Sequence, residues 1–252
     1  MTNLPWRRAW IIGASTGIGF EIAKQLAAAG VDVAASARNV EQLAGVTNIH
    51  PYPLDVTDAP AVARVFNKIC DELGPVDLVI GAAGKYKPVF SQELSLEDYR
   101  STVDVNYMGV INMLDAVLPT FRTRRSGHVA WVASVAGYLG LPKSAAYGPT
   151  KAALINLAEG LKPELEQFNI TTSVINPGFV RTPMTAGNDF PMPFLMEPDE
   201  AARRTIAGLA KGKFEIAYPT RFVLILKTLR LLPNWAFFAI TRRLIGPPAS
   251  KL

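Results

Sequence analysis

The chain has one cysteine and two histidines in 252 residues. Cys70 has no partner for an internal disulfide, so nothing points to an oxidising compartment and the chain reads as cytoplasmic. It falls in a helical pattern with Val62, Val65, Phe66, Ile69 and Leu73, as a buried, inert thiol and not a nucleophile. His50 and His128 stand apart without metal-ligand spacing, and no metal is expected. No apolar run reaches the ~18 residues of a spanning helix. Residues 1–10 lack the apolar core of a signal peptide. No repeat, low-complexity segment or linker marks a second domain. The length fits one large domain, and 49% hydrophobic with 19% charged residues is a globular balance.

Acid is missing from one region. Residues 219–252 hold Arg221, Lys227, Arg230, Arg242, Arg243 and Lys251 and no Asp or Glu. This tail carries +6 against a whole-chain net of +5, so the first 218 residues sum to −1. The basic pI is a property of the tail, and no nucleic-acid surface runs across the domain.

What is there alternates. Residues 9–12 form a short apolar run of the buried-strand kind. Gly13-Ala-Ser-Thr-Gly17-Ile-Gly19 follows, then a helical pattern over 20–29. In that context Gly13 permits a tight turn, Gly17 lets backbone approach a pyrophosphate, and Gly19 lets helix and strand pack closely. The helix N-terminus supplies amide donors and a positive dipole end. A plain glycine-rich loop is the alternative.

Residues 32–36 read as the second strand, ending in Ser36-Ala37-Arg38 without the acid an NAD site places on the ribose. Arg38 either pairs with a 2′-phosphate, implying NADP, or is a solvated charge opening the next helix. Residues 49–54 read as a third strand, which Pro51 and Pro53 confine to an edge. Asp55-Val56 follows, where a carboxylate can meet an adenine. Residues 58–73 form a helix capped by Asp58, and 76–80 a fourth strand leading to Gly81-Ala-Ala-Gly84.

A helical region over 94–121 contains Asn106, whose amide either bonds neighbouring backbone or opens the helix and holds a water. Residues 127–133 are strand five, 145–168 a helix with Pro149 in its first turn, 170–175 strand six, 198–208 a helix and 214–217 a last strand. The alternation predicts an α/β fold, a Rossmann-type doubly wound parallel sheet. It occupies 1–218, with 219–252 a basic apolar extension of the same domain.

Between strand and helix lies the chemistry. Ser134 ends strand five, Tyr147 sits thirteen positions on, and Lys151 four further. On one helix Tyr147 and Lys151 share a face. A phenol titrates near pH ~10, and an ammonium held close lowers that value. A serine hydroxyl can donate to a substrate oxygen. Tyr147 and Lys151 as ordinary helix-surface residues is the bland alternative.

The joint order of Gly13, Gly17, Ile18, Gly19, Asp55, Val56, Asn106, Ser134, Tyr147, Lys151, Pro177, Gly178 and Thr182 resembles the short-chain dehydrogenase/reductase family over residues 9–217. The resemblance implies Tyr147 as general acid and base. It implies Lys151 on the nicotinamide ribose, Ser134 on the substrate carbonyl, and Asn106 holding a proton-relay water. Ser15, Thr16, Ala83, Val180, Pro177, Gly178 and Thr182 would join the glycine loop, Arg38, Asp55 and Val56 around the cofactor. Hydride would pass between nicotinamide and a carbonyl or secondary alcohol. A homo-dimer or homo-tetramer through the helices around 95–122 and 147–168 is implied too. Two positions depart from the family. Its threonine before the first glycine is Ile12 here, and its Asn-Asn-Ala-Gly is Gly81-Ala-Ala-Gly84, which puts local hydrogen bonding in question.

Residues 182–196 have no period and are rich in Met, Pro and Phe. They form either a lid over a partly apolar substrate or a loop pinned by its own apolar residues. In the tail, Pro219, Pro233 and Pro247-Pro248 bound two helical candidates. The second sets Phe237, Phe238, Ile240, Thr241, Leu244 and Ile245 against Arg242 and Arg243, and the first, 221–231, is less cleanly amphipathic. The tail either covers the cleft or a subunit contact, or lies on an anionic membrane. Three functions compete: an NADP-dependent oxidoreductase, a non-catalytic dinucleotide sensor or scaffold, and a membrane-surface reductase of lipid-like substrates.

Overall fold

A strand buried on both faces must feed two cores at once. In β1 (Arg8–Ile12), Trp10 and Ile12 enter one apolar cluster and Ala9 and Ile11 the other. That is the two-residue period of a strand. The computed structural model describes residues 4–243. Leu244, Ile245, Pro247, Pro248 and Lys251 of the expected tail lie outside the described residues, as do residues 1–3 of the N-terminal stretch.

Seven parallel strands follow the order β3-β2-β1-β4-β5-β6-β7. The other strands are β2 (Asp32–Ala37), β3 (Ile49–Pro53), β4 (Leu78–Gly81), β5 (Gly127–Val132), β6 (Ile170–Pro177) and β7 (Glu215–Tyr218). Helices α1 (Gly17–Ala28) and α6 (Pro198–Ala210) cover one face. Helices α2 (Ala59–Leu73), α4 (Gly109–Arg124) and α5 (Tyr147–Glu166) cover the other. Asp58 caps α2 by accepting from the Ala61 amide at 2.9 Å, with Pro60 in the first turn. Pro51 and Pro53 fall in the edge strand β3, as their missing donors demand.

The strand order reverses between β1 and β4. Side by side there, Ile12 pairs with Gly81, so Gly13 and residues 82–84 leave the sheet together. The crevice at such a reversal, beyond the carboxyl ends of the strands, is where an open α/β sheet takes its ligand.

The expected helix over 94–121 is more broken than its pattern suggests. It starts at α3 (Leu96–Val103), with Ser95 accepting from the Asp98 amide. It then passes through a π-helical turn at Asp104–Met108 before α4. Asn106 sits in that turn and is fully buried. One inserted residue in a helix is a device for aiming a side chain.

The tail forms α7 (Thr220–Arg230) and α8 (Asn234–Arg242). The first tail helix is better organised than its sequence pattern suggests. Phe222, Val223 and Leu226 are buried against Val135, Tyr138 and Leu139, with Phe237 of α8 packed alongside. Each such buried side chain contributes about 2 kcal/mol.

Candidate active site

The glycine loop is built by close approach. Gly13 has φ +86°, and a Cβ there would lie 2.4 Å from the Ala83 nitrogen. A Cβ on Gly19 would lie 2.3 Å from the Gly13 carbonyl oxygen. No side chain fits at either place. At the head of α1, Thr16 makes no side-chain cap, and the first turn holds no acid. The first amides of α1 thus point to the crevice with only water or an anion to satisfy them. These residues fit the pyrophosphate of a dinucleotide.

The crevice is a cleft of about 800 Å³. Its wall contains Gly13, Ser15, Thr16, Gly17, Ile18 and Gly19, then Arg38, Asp55, Val56 and Ala83, and finally Ser134, Tyr147, Lys151, Pro177, Gly178, Val180 and Thr182. Every site residue expected from sequence is there except Asn106, which stands behind the wall.

Arg38 is exposed at the end of β2. The neighbouring Ser36 is turned inward, where its hydroxyl accepts from Trp10 Nε1 at 2.9 Å. Arg38 is therefore the polar group that this strand end presents. Asp55 accepts from the Thr57 amide at 2.9 Å and its hydroxyl at 2.8 Å. These bonds, with Arg38 nearby, outweigh partial burial and hold its carboxyl below the usual range.

Asn106 spends its amide on protein. Its Oδ1 accepts from the Lys85 amide at 2.7 Å, and its Nδ2 donates to the Lys85 carbonyl at 3.0 Å and Thr150 Oγ1 at 3.1 Å. Thr150 in turn donates to the Tyr147 carbonyl at 2.7 Å. Asn106 thus ties the segment after β4 to the first turn of α5. The Ala82 amide donates to the Ile12 carbonyl at 2.7 Å. The absent family asparagines leave this corner tied by backbone and by Asn106.

Lys151 is buried, 2% exposed, and donates to the Val132 carbonyl at 2.7 Å. With no carboxylate beside it, burial pulls its pKa down to about 7. The ammonium lies 5.4 Å from the Tyr147 ring centroid. The expectation that it lowers the Tyr147 pKa is not met in this geometry. Burial instead pushes that phenol up to about 12, against a hydrogen bond with Ser134 that works downward. Ser134 also accepts from the Ala136 amide at 3.1 Å. At neutral pH, Tyr147 is a protonated donor at the cleft wall.

A family model described as short chain dehydrogenase matches residues 7–190. This chain belongs to the short-chain dehydrogenase family. It is an oxidoreductase of that family. The short-chain dehydrogenase is 37% identical over 253 residues to an uncharacterized oxidoreductase of Myxococcus xanthus, covering 97% of this chain and 100% of that one. It is 33% identical over 232 residues to oxidoreductase BOA17 of Botryotinia fuckeliana, covering 88% and 84%. Among solved structures it is similar to a short-chain dehydrogenase from Burkholderia cenocepacia in complex with NADP. The TM-score is 0.81 at 26% identity, covering 95% of this chain and 98% of that one. Another from Streptomyces avermitilis gives 0.78 at 25%, covering 95% of each.

Several wall residues of this short-chain dehydrogenase escape sequence reasoning. Tyr86 meets the Tyr147 ring edge-on at 5.1 Å. Lys85 donates to Ser101 at 2.6 Å, and Met184 and Thr185 close the far side. The position directly after the Gly81-to-Gly84 turn that follows β4 was the available signal for Lys85 and Tyr86. Gly137 is subtler. A Cβ there would lie 2.7 Å from the Lys151 carbonyl carbon, so only glycine lets the turn after Ser134 rest on α5.

The two ends of the loop over 182–196 are placed differently. At its near end, Thr182, Met184 and Thr185 line the cleft. Its far end is pinned. Lys143 pairs with Asp189 at 3.3 Å and lies 5.1 Å from the Phe90 ring and 5.8 Å from Phe190. Phe194 touches Phe222 of α7 at 6.0 Å. Behind the cleft, Glu215 accepts from Tyr138 at 2.6 Å, Asn176 at 3.0 Å and Lys227 of α7 at 2.5 Å. Arg230 also reaches the Tyr138 carbonyl. Burial raises the Glu215 pKa, yet these donors outweigh it and leave it below the usual range.

Proposed function

We propose that this short-chain dehydrogenase uses NADP(H) to interconvert a carbonyl and a secondary alcohol, with Tyr147 as the proton donor and acceptor. The observation that carries the reading is Ser134, Tyr147 and Lys151 gathered on one wall of a cleft that begins at a glycine cradle fitted to pyrophosphate. A nicotinamide cofactor supplies the hydride when bound. The protein's own residues manage the oxygen.

In reduction, Ser134 hydrogen-bonds the carbonyl oxygen and Tyr147 delivers the proton as alkoxide character develops. A phenol held near 12 enters that step protonated. Lys151, with its pKa near 7, carries the charge that changes around neutral pH and restores the phenol proton. Asn106 holds the Tyr147 turn in register through Thr150, and the relay water of the family is assigned beside it. In oxidation the proton moves the other way.

Arg38 supports NADP over NAD, since it faces the cleft where an NAD site presents an acid. The Burkholderia cenocepacia relative binds NADP. Gly13, Ser15, Thr16, Gly17, Ile18 and Gly19 receive the pyrophosphate, Asp55, Val56 and Ala83 the adenosine, and Pro177, Gly178, Val180 and Thr182 the carboxamide. Tyr86 and Met184 favour a substrate with an apolar portion beside the reacting carbon. The assembly is a homo-dimer or homo-tetramer through α3, α4 and α5, in the cytoplasm.

Fluorescence titration with NADPH and NADH tests the cofactor, and Arg38→Ala should abolish a preference for NADPH. Tyr147→Phe should bind NADPH as before and lose turnover by about 100-fold or more on a carbonyl panel. Turnover unchanged in Tyr147→Phe would sink the assignment. A wild type that binds NADPH and reduces nothing would make the chain a dinucleotide sensor.

A further inference from the structure

Exposed large apolar side chains on this protein are not spread evenly. Leu224, Ile225, Leu231, Trp235, Phe238 and Ile240 all stand out from the two tail helices, with Leu231 85% and Trp235 78% exposed. Helical spacing arranges four of them, with Leu231 directly after α7 and Ile240 beside the second stripe. On α7, Arg221, Leu224, Ile225 and Thr228 recur at the three- and four-residue steps of one stripe. On α8, Trp235, Phe238, Ala239 and Arg242 do the same.

These stripes are not the faces that hold the helices to the protein. Phe222, Val223 and Leu226 of α7 and Phe237 of α8 already fill that role against the turn after Ser134. The outer apolar residues are therefore surplus to folding, and a patch of this kind marks an interaction surface.

Charge selects the partner. The basic residues of the tail divide into two groups. Lys227 and Arg230 are drawn inward by Glu215 and the Tyr138 carbonyl. Arg221, Arg242 and Arg243 are exposed, and among the described residues their side chains have no ion pair or hydrogen bond. No acid occurs anywhere in residues 219–252. A second copy docking here face to face would bring guanidinium groups together with no carboxylate of the patch to answer them. A surface of negative charge over an apolar layer answers both features at once. A tryptophan at the rim of such a patch is the residue type that settles at a lipid–water interface.

We propose that the outer faces of α7 and α8 seat the protein on an anionic lipid membrane, lying in the interface. Among the described residues no helix is long and apolar enough to cross a membrane, so the contact is peripheral. The inner side of α7 touches the loop over 182–196 through Phe222 and Phe194, which puts the cleft beside the bilayer.

The test uses the full chain and vesicles of phosphatidylcholine, with and without phosphatidylglycerol. Co-sedimentation should occur with the anionic vesicles and fall with added salt. Arg221→Gln and Arg242→Gln should each lower the partition coefficient about fivefold, and Leu231→Ser with Trp235→Ser should remove binding. Trp6, Trp10 and Trp131 are buried. A blue shift of emission on binding therefore reports Trp235, and Trp235→Phe should abolish the shift while binding persists. All the substituted residues are exposed, and unchanged circular dichroism and NADPH titration would show that the fold is kept. No sedimentation, or equal sedimentation with neutral vesicles, would overturn the proposal. So would sedimentation velocity in which the serine variants dissociate an oligomer of the wild type, since the patch would then be a subunit interface.

Discussion

The cleft has two walls made in different ways. On the β1–β4 side the wall is mostly backbone. Glycines bring the loop after β1 within reach of residues 82–84, and the free amides of α1 face inward. On the β5–β7 side the wall is side chain. Ser134, Tyr147 and Lys151 project from a strand end and a helix, and a relay of Tyr138, Glu215, Asn176 and Lys227 braces the turn behind them. A backbone wall serves any ligand with the same phosphates, whereas a side-chain wall can be retuned one residue at a time. The comparison gives a physical reason for a common cofactor and divergent substrates within one fold.

Breaking the backbone wall should cost most. Gly13→Ala forces a φ of +86° on a residue with a Cβ and drives that Cβ into backbone. The conformation alone costs about 1–2 kcal/mol, and the collision adds to it. NADPH affinity should fall by about 100-fold or more in fluorescence titration, with a lower melting temperature. An unchanged Kd would mean that the loop does not receive the cofactor.

Gly137→Val comes next and isolates the other wall. The turn carrying Ser134 must lift away from α5. A displacement of about 1 Å costs on the order of 100-fold in turnover, while NADPH binding should hold. Loss of both together would erase the distinction between the walls.

The brace should matter less. Glu215→Ala leaves Asn176 Nδ2 unpaired beside an Oδ1 that already lacks a partner. An unmet buried polar group costs about 1–3 kcal/mol, so thermal stability should drop by that amount with a fall in turnover. Lys227→Met keeps the Tyr138 and Asn176 bonds and should show only a fraction of either effect.

A titration away from both walls should touch turnover and NADPH binding least and act on stability alone. His128 is buried, its Nε2 2.8 Å from Ser173 Oγ. That hydroxyl donates to the Lys213 carbonyl, so His128 Nε2 is the donor in their bond. Burial lowers its pKa to about 4. Between pH 4 and 6.5 the unfolded chain binds the extra proton, so stability rises with pH there and is lost on acidification. The full loss is about 3 kcal/mol. Urea unfolding of His128→Gln should be less pH-dependent than wild type by that much. Equal slopes would mean that the histidine is not buried neutral.

The backbone wall was readable in the sequence because its conditions are local. Three glycines between an apolar run and a helical pattern specify a turn without knowledge of anything distant. The same holds for Asp58 as a cap and for the edge position forced by Pro51 and Pro53. The catalytic-type residues were readable as spacing only. What their surroundings do to them was not, since the upward shift at Tyr147 arises from burial that no local pattern encodes. Gly137 looks like any glycine until α5 is seen against it. Asn106 was expected either to bond neighbouring backbone or to open the helix and hold a water, and its partners Lys85 and Thr150 are 21 and 44 residues away. The first tail helix has apolar residues all around it, so its inner face could be told from its outer one only after Val135, Tyr138 and Leu139 were in place.

The prolines of β3 do more than mark an edge. Asn48 and Leu54 bond toward β2, so in the two-residue alternation of the strand Ile49, Pro51 and Pro53 face outward. Two of those three positions have no amide hydrogen. A neighbouring chain arriving at this side finds acceptors but almost no donors, and cannot add a strand. At most the β7 side of the sheet is left for extension. An object with one adhesive edge pairs once, about a twofold axis, and stops; one with two polymerises. Two ring closures in a five-residue strand thus bar the sheet from growing end to end into a fibre.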